Sequence, residues 1–349
     1  MIMLNKKTNN YYLNFLFYPL SLIYYISINI WGLLYKIKVL KTKSLPCKVI
    51  SVGNITVGGS GKTPTVQYLS KLLQSKGKKV GIISRGYGRK SKNTIIVTDG
   101  KIKPKSWENF GDEPYMLAKN LEGIPIIVGE SRYEAGIKMI AKFNPDIIIM
   151  DDGFQHISLH RDLDIVLINS KDTKKSHRLI PLGQLREPLL NLSRADLVIL
   201  TKTNIHKPSH YHEKIIKKIK CTTINNKIEI DDILLDTEGE SHNLKIINSK
   251  NIFIFSALGD HEGFKKTMEK TGAIIVGHDK YPDHYVYTRI DLKNIEKNAK
   301  EKNASFIITT EKDILKTISY NKNMNLYFVR MKMVFEPENI LKKYIEKII

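Results

Sequence analysis

The 349-residue sequence predicts an α/β protein built on a mainly parallel sheet. Three observations carry that expectation. From residue 46 onward, short apolar runs alternate with helical periodicity, the pattern of strands buried on both faces and covered by helices. The first of those runs enters a Gly-rich turn that opens a helix. The alternation pauses over residues 207–250 and then resumes, and a chain of this length holds about two domains at roughly 150 residues each.

Residues 1–45 stand apart as a membrane-associated segment. The stretch 11–35 is uncharged; Lys6 and Lys7 precede it, and Lys36, Lys38, Lys41 and Lys43 follow it. As a helix it would reach ~37 Å, enough to cross a bilayer. Pro19, a polar stripe of Asn14, Tyr18, Ser21, Tyr25, Asn29 and Gly32, and the many Tyr and Trp rings favour instead a helix lying in the membrane interface. No small-residue cleavage site follows, so a signal peptide fits poorly. The basic flank predicts that the following domain is cytoplasmic.

Residues 46–206 form the expected core. Strands are predicted at 48–52, 80–84, 94–97, 124–128, 146–150, 164–168 and 197–200, and helices at 63–75, 113–121 and 132–143. In the first helix Val66, Leu69, Leu72 and Leu73 share a face, and Gly77 is its stop. Residues 207–250 are polar and weakly patterned, a connector carrying a helix and a hairpin. Residues 251–349 read as a smaller α/β lobe, with strands at 252–255, 273–276, 305–308 and 326–330 and helices at 291–301 and 338–348.

The charge is located rather than diffuse. Lys and Arg number 56 against 35 acids, a net +21, yet residues 1–98 hold 16 basic side chains and no acid before Asp99. The remaining 251 residues carry 40 basic and 35 acidic side chains, so the excess belongs to the N-terminal region. That favours an anionic membrane face or a phosphorylated ligand over nucleic acid, for which no aromatic-basic motif is present. Two cysteines, Cys47 and Cys221, are too few for a disulfide framework.

The densest chemical signal is residues 51–63, SVGNITVGGSGKT: a strand, a Gly-rich turn, Gly61-Lys62-Thr63, then a helix. Thr56, Val57, Gly58, Gly59, Ser60, Gly61, Lys62 and Thr63 form a phosphate-binding P-loop. Its backbone N–H groups cradle phosphate, Lys62 reaches the β- and γ-phosphates, and the Thr63 hydroxyl serves Mg²⁺. The loop is a variant, because Thr56 stands where the strict template has its first Gly. The apolar strand ending in Asp151-Asp152 supplies the carboxylates that such a loop needs for Mg²⁺. His160-Arg161-Asp162-Leu163 mimics a protein-kinase catalytic loop, but Leu167 stands where the Asn is required. A P-loop alone leaves a kinase, an ATPase and a GTPase open. A GTPase switch or metallochaperone would account for Thr201-Lys202-Thr203-Asn204, with Asn204 in place of the expected Asp.

Taken together, SVGNITVGGSGKTP (51–64), SRGYGRKS (84–91), GDEPYMLA (111–118), DDGFQH (151–156), LHRDLDI (159–165), PLGQLREPL (181–189), RADLVILTK (194–202), FSALGD (255–260) and PDHY (282–285) resemble the tetraacyldisaccharide 4'-kinases of lipid A biosynthesis. The match runs in family order from residue 51 to residue 285. The resemblance implies a P-loop kinase at the cytoplasmic face of the bacterial inner membrane. It would transfer phosphate from ATP to the 4'-hydroxyl of an acylated glucosamine disaccharide 1-phosphate, giving lipid IVA, and it implies no obligate protein partner. It also implies roles: Asp112 as general base, His284 as its partner, Asp151 and Asp152 as Mg²⁺ and catalytic carboxylates. Arg132, Gln155, His156, Arg186 and Glu187 would contact the acceptor or line the site.

Overall fold

The structure, a computed structural model, describes residues 11–317 and 324–349; Lys6 and Lys7 lie outside it. Helix α1 spans Tyr11–Lys36. The first half then runs β1 (Lys48–Asn54), α2 (Lys62–Ser75), β2 (Val80–Ser84), β3 (Ile95–Thr98), α3 (Asp112–Asn120), β4 (Ile126–Val128), α4 (Arg132–Phe143), β5 (Ile147–Asp151), β6 (Leu163–Asn169) and β7 (Leu197–Thr201). Next come α5 (His210–Ile219), β8 (Thr222–Asp236) and β9 (Ser241–Asn243). The second half adds β10 (Asn251–Ser256), α6 (His261–Glu269), β11 (Ile274–Lys280), α7 (Arg289–Glu301), β12 (Phe306–Thr310), the one-turn α8 (Glu311–Ile314), β13 (Leu326–Glu336) and α9 (Glu338–Glu346).

The described strands form one 13-stranded sheet in the order β11-β10-β12-β13-β8-β7-β6-β1-β5-β2-β4-β3, with β9 beside β8. Every pairing is parallel except β13–β8, β8–β9 and β3–β4. The apolar runs predict this, because a parallel strand covered on both faces has no solvent side to alternate toward. β5 shows it residue by residue. Ile147 and Ile149 pack with Leu69, Leu73 and Ile82 on one face, while Ile148 and Met150 pack with Ala135 and Met139 on the other.

The region 207–250 does contain the helix and hairpin expected of it, but its strand does more than connect. The first residues of β8, Thr222–Asn225, extend the parallel ladder from β7, and the strand then pairs antiparallel with β13 as far as Asp236. The two long strands weld both halves into one sheet. Their pattern is weak in sequence because each changes neighbours, and so cores, along its length.

α1 lies largely exposed, with 6% of the apolar stretch Phe17–Lys36 buried. Of the expected polar stripe, Ser21 faces the protein, while Tyr18, Tyr25 and Asn29 are exposed. The C-terminal ends of β1, β2, β5 and β6 gather at one edge of the sheet, where open α/β folds place ligands.

Candidate active site

β1 delivers the chain into the Gly-rich turn, and α2 begins at Lys62. Gly61, with φ 91°, makes the left-handed turn that points the helix N-terminus at the space above the loop. Asn54 ties the loop from within: its Nδ2 donates to the Thr56 carbonyl at 2.6 Å, and its Oδ1 accepts from Lys62 Nζ at 3.2 Å. Val57, Gly58 and Gly59 are exposed at the rim, whereas Ser60 and Thr63 are buried. Thr56 is explained by its hydroxyl, which donates to Asp172 Oδ2 at 3.3 Å. His177, itself bonded to Tyr211, holds the same carboxylate oxygen.

At the end of β5, Asp151 is fully buried. Ser84 Oγ donates to its Oδ2 at 3.1 Å, and its Oδ1 has no partner. Burial, with Glu113 and Asp152 nearby, pushes its carboxyl up from the ordinary range. Asp152 is the opposite case. Burial would raise it too, but Lys62, 3.6 Å away, and Arg186, 2.9 Å from both its oxygens, hold it below the ordinary range.

The arginine and amide residues pack around this pair. Arg132 is buried at the start of α4, donates to the Gly129 carbonyl at 2.9 Å and leaves Nε without a partner. Burial lowers its guanidinium to about 10 despite the nearby Asp151 and Asp152. Burial, with Arg132, Arg161 and Arg85 close by, pushes the His156 imidazole down to about 4, so it is neutral at pH 7. Gln155 donates to the Asn54 carbonyl and to Glu187 Oε1. Glu187 is buried, and both its oxygens are taken, by Gln155 on one and by Asn191 and Arg194 on the other. It is set as a support for its neighbours rather than as a surface offered to a ligand.

The second cluster joins the two halves of the sheet. Gly111 adopts φ 92° and approaches so closely that a Cβ there would lie 2.8 Å from the Tyr87 carbonyl. That turn starts α3 and seats Asp112 at 4% exposure. From the other half, His284 Nδ1 and Lys316 Nζ each lie 2.8 Å from Asp112 Oδ2, with Lys312 Nζ at 3.9 Å. Burial works against the charge, but His284, Lys312 and Lys316 together hold the Asp112 carboxyl far below its usual value. An ionised Asp112 only accepts, so His284 Nδ1 carries the proton, and Nε2 accepts from Lys312 at 3.4 Å. Asp152 and His284 both hold left-handed backbone (φ 53° and 63°), an uncommon state that their surroundings maintain.

Glu113 links the clusters, acting electrostatically on Asp151 on one side and on Lys312 on the other. Gly259 closes the gap from the second half: a Cβ there would lie 3.6 Å from Gly59 N and 3.5 Å from the Asp283 carboxylate. The structure thus brings Asp112 and His284 into contact, and Lys62, Asp152 and Arg186 into a second group beside Asp151. Lys312, Lys316 and Asp172 join the site without having been singled out from sequence, and so do Glu113 and Asn54, which lay inside the quoted motifs but had been given no role there. The one available signal was the i,i+4 spacing of Lys312 and Lys316 directly after an apolar strand. Asn204 is occupied elsewhere: its amide bonds Ile228 in both directions, at 2.8 and 3.1 Å, so it braces β8 and is not free to read a base.

A family model described as tetraacyldisaccharide-1-P 4'-kinase matches residues 13–349. The tetraacyldisaccharide 4'-kinase of Aquifex aeolicus is 39% identical over 338 residues, covering 95% of this chain and 97% of its own. That of Syntrophus aciditrophicus is 36% identical over 330 residues, covering 91% and 88%. A crystal structure of LpxK from Aquifex aeolicus, described as an "apo" form in complex with ATP, superposes with a TM-score of 0.77 at 39% identity, over 95% of this chain and 97% of that one. With its sheet, its phosphate loop and nearly its whole length shared, this chain belongs to the tetraacyldisaccharide-1-phosphate 4'-kinase family.

Proposed function

We propose that this chain transfers the γ-phosphoryl group of ATP to the 4'-hydroxyl of an acylated glucosamine disaccharide 1-phosphate, yielding lipid IVA at the cytoplasmic face of the inner membrane. Family membership supports the activity. The observation that carries the mechanism is the buried Asp112–His284 pair beside a phosphate loop. A hydroxyl acceptor needs such a base, and a GTPase switch does not.

Asp112 accepts the proton of the attacking hydroxyl. Its depressed basicity is compatible with phosphoryl transfer, whose loose transition state asks for positioning and charge more than for strong proton abstraction. His284 fixes the carboxylate by its Nδ1–H. Lys62, Arg186 and Arg132 offer positive charge to the transferring group. Neutral His156 offers a hydrogen bond at the acceptor side, and Gln155, held by Asn54, Glu187 and Arg186, shapes that wall of the site. Residues 56–63 receive the ATP phosphates.

The donor set suits Mg²⁺. Asp151 has a buried carboxylate oxygen with no partner, and the Thr63 hydroxyl lies at the helix start, both hard oxygen ligands; Asp152 stands beside them. When bound, Mg²⁺ neutralises phosphate charge. The membrane reading draws on α1, whose Leu22, Ile23, Ile26, Ile30, Trp31 and Leu33 are exposed, and on the exposed Lys36, Lys38, Lys41 and Lys43 that follow. Full-length protein is expected to float with anionic vesicles and to do so less when residues 1–36 are deleted; equal flotation of both would count against an anchoring helix.

The deciding assay is transfer of radiolabelled phosphate from ATP to tetraacyldisaccharide 1-phosphate in detergent micelles. Folded protein that leaves the lipid unlabelled would sink the proposal. A pH profile probes the base. Because Lys316 helps to hold Asp112 ionised, Lys316→Met raises the Asp112 pKa toward the unfolded value of about 3.9, and the acid limb of kcat/KM moves to higher pH. The linked stability has the same sign: it is fully present above that value and is lost as pH falls through the folded pKa. An unmoved acid limb would show that Lys316 does not act on the base.

A further inference from the structure

Helix α1 touches the rest of the protein through few polar contacts, and two of them converge. Ser21 Oγ donates to the Leu179 carbonyl at 3.2 Å, and Tyr24 Oη donates to the Arg186 carbonyl at 2.6 Å. Ser21 and Tyr24 are three residues apart and so share one face of the helix. Both bonds end on the segment 179–187, which lies alongside the phosphate loop. Val57 N–H donates to the Gln184 carbonyl at 2.7 Å, Arg186 N–H donates to the Ile55 carbonyl at 2.8 Å, and Leu185 bridges Thr56.

Arg186 is therefore gripped at both backbone groups and at one nitrogen of its guanidinium. Its N–H holds the entry to the phosphate loop, its guanidinium holds both oxygens of Asp152, and its carbonyl is held by Tyr24. Tyr24 is half-buried beside Glu187 and Arg186.

We infer that Tyr24 is a positioning residue for phosphoryl transfer: acting through the Arg186 backbone, it sets Asp152 and residues 55–57 of the phosphate loop. The seating of the exposed, apolar helix is thereby mechanically continuous with the nucleotide site. An anchor alone would need no hydrogen bond to that carbonyl. This role rests on the kinase activity proposed above, and the two fail separately. If the wild-type chain does not label the lipid, the activity is wrong; if the wild-type chain does and Tyr24 is immaterial, only the coupling is wrong.

The test is Tyr24→Phe in the full-length chain, which removes one hydroxyl and keeps the ring. Steady-state kinetics in detergent micelles should show kcat reduced and KM for ATP raised, with kcat/KM for ATP lowered about 3- to 10-fold in all, the scale of one hydrogen bond. KM for the acylated disaccharide and flotation with anionic vesicles should stay at wild-type values. Thermal melting of the variant confirms that it is folded. A rise in the lipid KM or a loss of flotation with ATP parameters unchanged would overturn the inference and leave α1 as an anchor only. Unchanged kinetics throughout would overturn it as well.

Discussion

Asp112→Asn is expected to lower kcat by about 10²- to 10⁴-fold, the range ascribed to a general base, while ATP affinity stays close to wild type. The separation follows from position. Asp112 sits at the start of α3 against His284, Lys312 and Lys316, whereas residues 56–63, proposed above to receive the ATP phosphates, lie at the start of α2. The amide is isosteric, so the cleft keeps its shape, but it cannot accept a proton. It also leaves the buried Lys316 without its counter-charge, and breaking a buried pair from one side costs about 3–5 kcal/mol. A lowered Tm is therefore part of the expected result, and kcat must be measured well below it. Turnover near wild type in folded Asp112→Asn would remove Asp112 from the mechanism. A parallel loss of ATP binding would mean that the substitution had disturbed the phosphate loop.

Lys62→Met should fail differently, with both ATP affinity and kcat reduced, the latter by about 10²- to 10³-fold. The ammonium is poised by Asn54 Oδ1 at 3.2 Å and Asp152 Oδ1 at 3.6 Å, and it sits at the first residue of α2, where the helix end already favours anions. Methionine matches most of the stem and removes the ammonium, with its charge and its hydrogen-bond donors. Arginine is not expected to rescue, because its rigid fork presents a different geometry from a point charge on a flexible stem. Isothermal titration with ATP alongside the lipid-labelling assay separates the two losses. A variant that binds ATP normally and turns over normally would exclude Lys62 from phosphate contact.

The parts of this molecule that could be read in advance are those where neighbours in sequence act together. Residues 147–151 announce a buried strand and the carboxylate at its end within five positions, and the loop from Ser51 to Thr63 states its geometry in its glycines and its chemistry in Lys62 and Thr63. What depends on distant pairing was silent. The polar residues of β8 gave no hint that its partner lies a hundred positions further on in β13. Lys312 and Lys316 look like solvated lysines in a Lys-rich chain, and only the fold carries them to Asp112. Glu187 was placed among the acceptor contacts by its motif, yet its oxygens are spent on Gln155, Asn191 and Arg194. Asp172 and His177 carry no motif at all, and their relation to Thr56 exists only across the sheet edge.

The long pair β8 and β13 also sets the mechanics of the site. A continuous hydrogen-bonded ribbon resists sliding and separation but yields to torsion, and this one carries a register shift between Val329 and Met331, the kind of irregularity that bends and twists a strand. Asp112 is attached to one side of that torsion joint, and His284, Lys312 and Lys316 to the other. The contacts of Asp112 with His284, Lys312 and Lys316 therefore act as a clasp across that joint, tying its two sides together at the site.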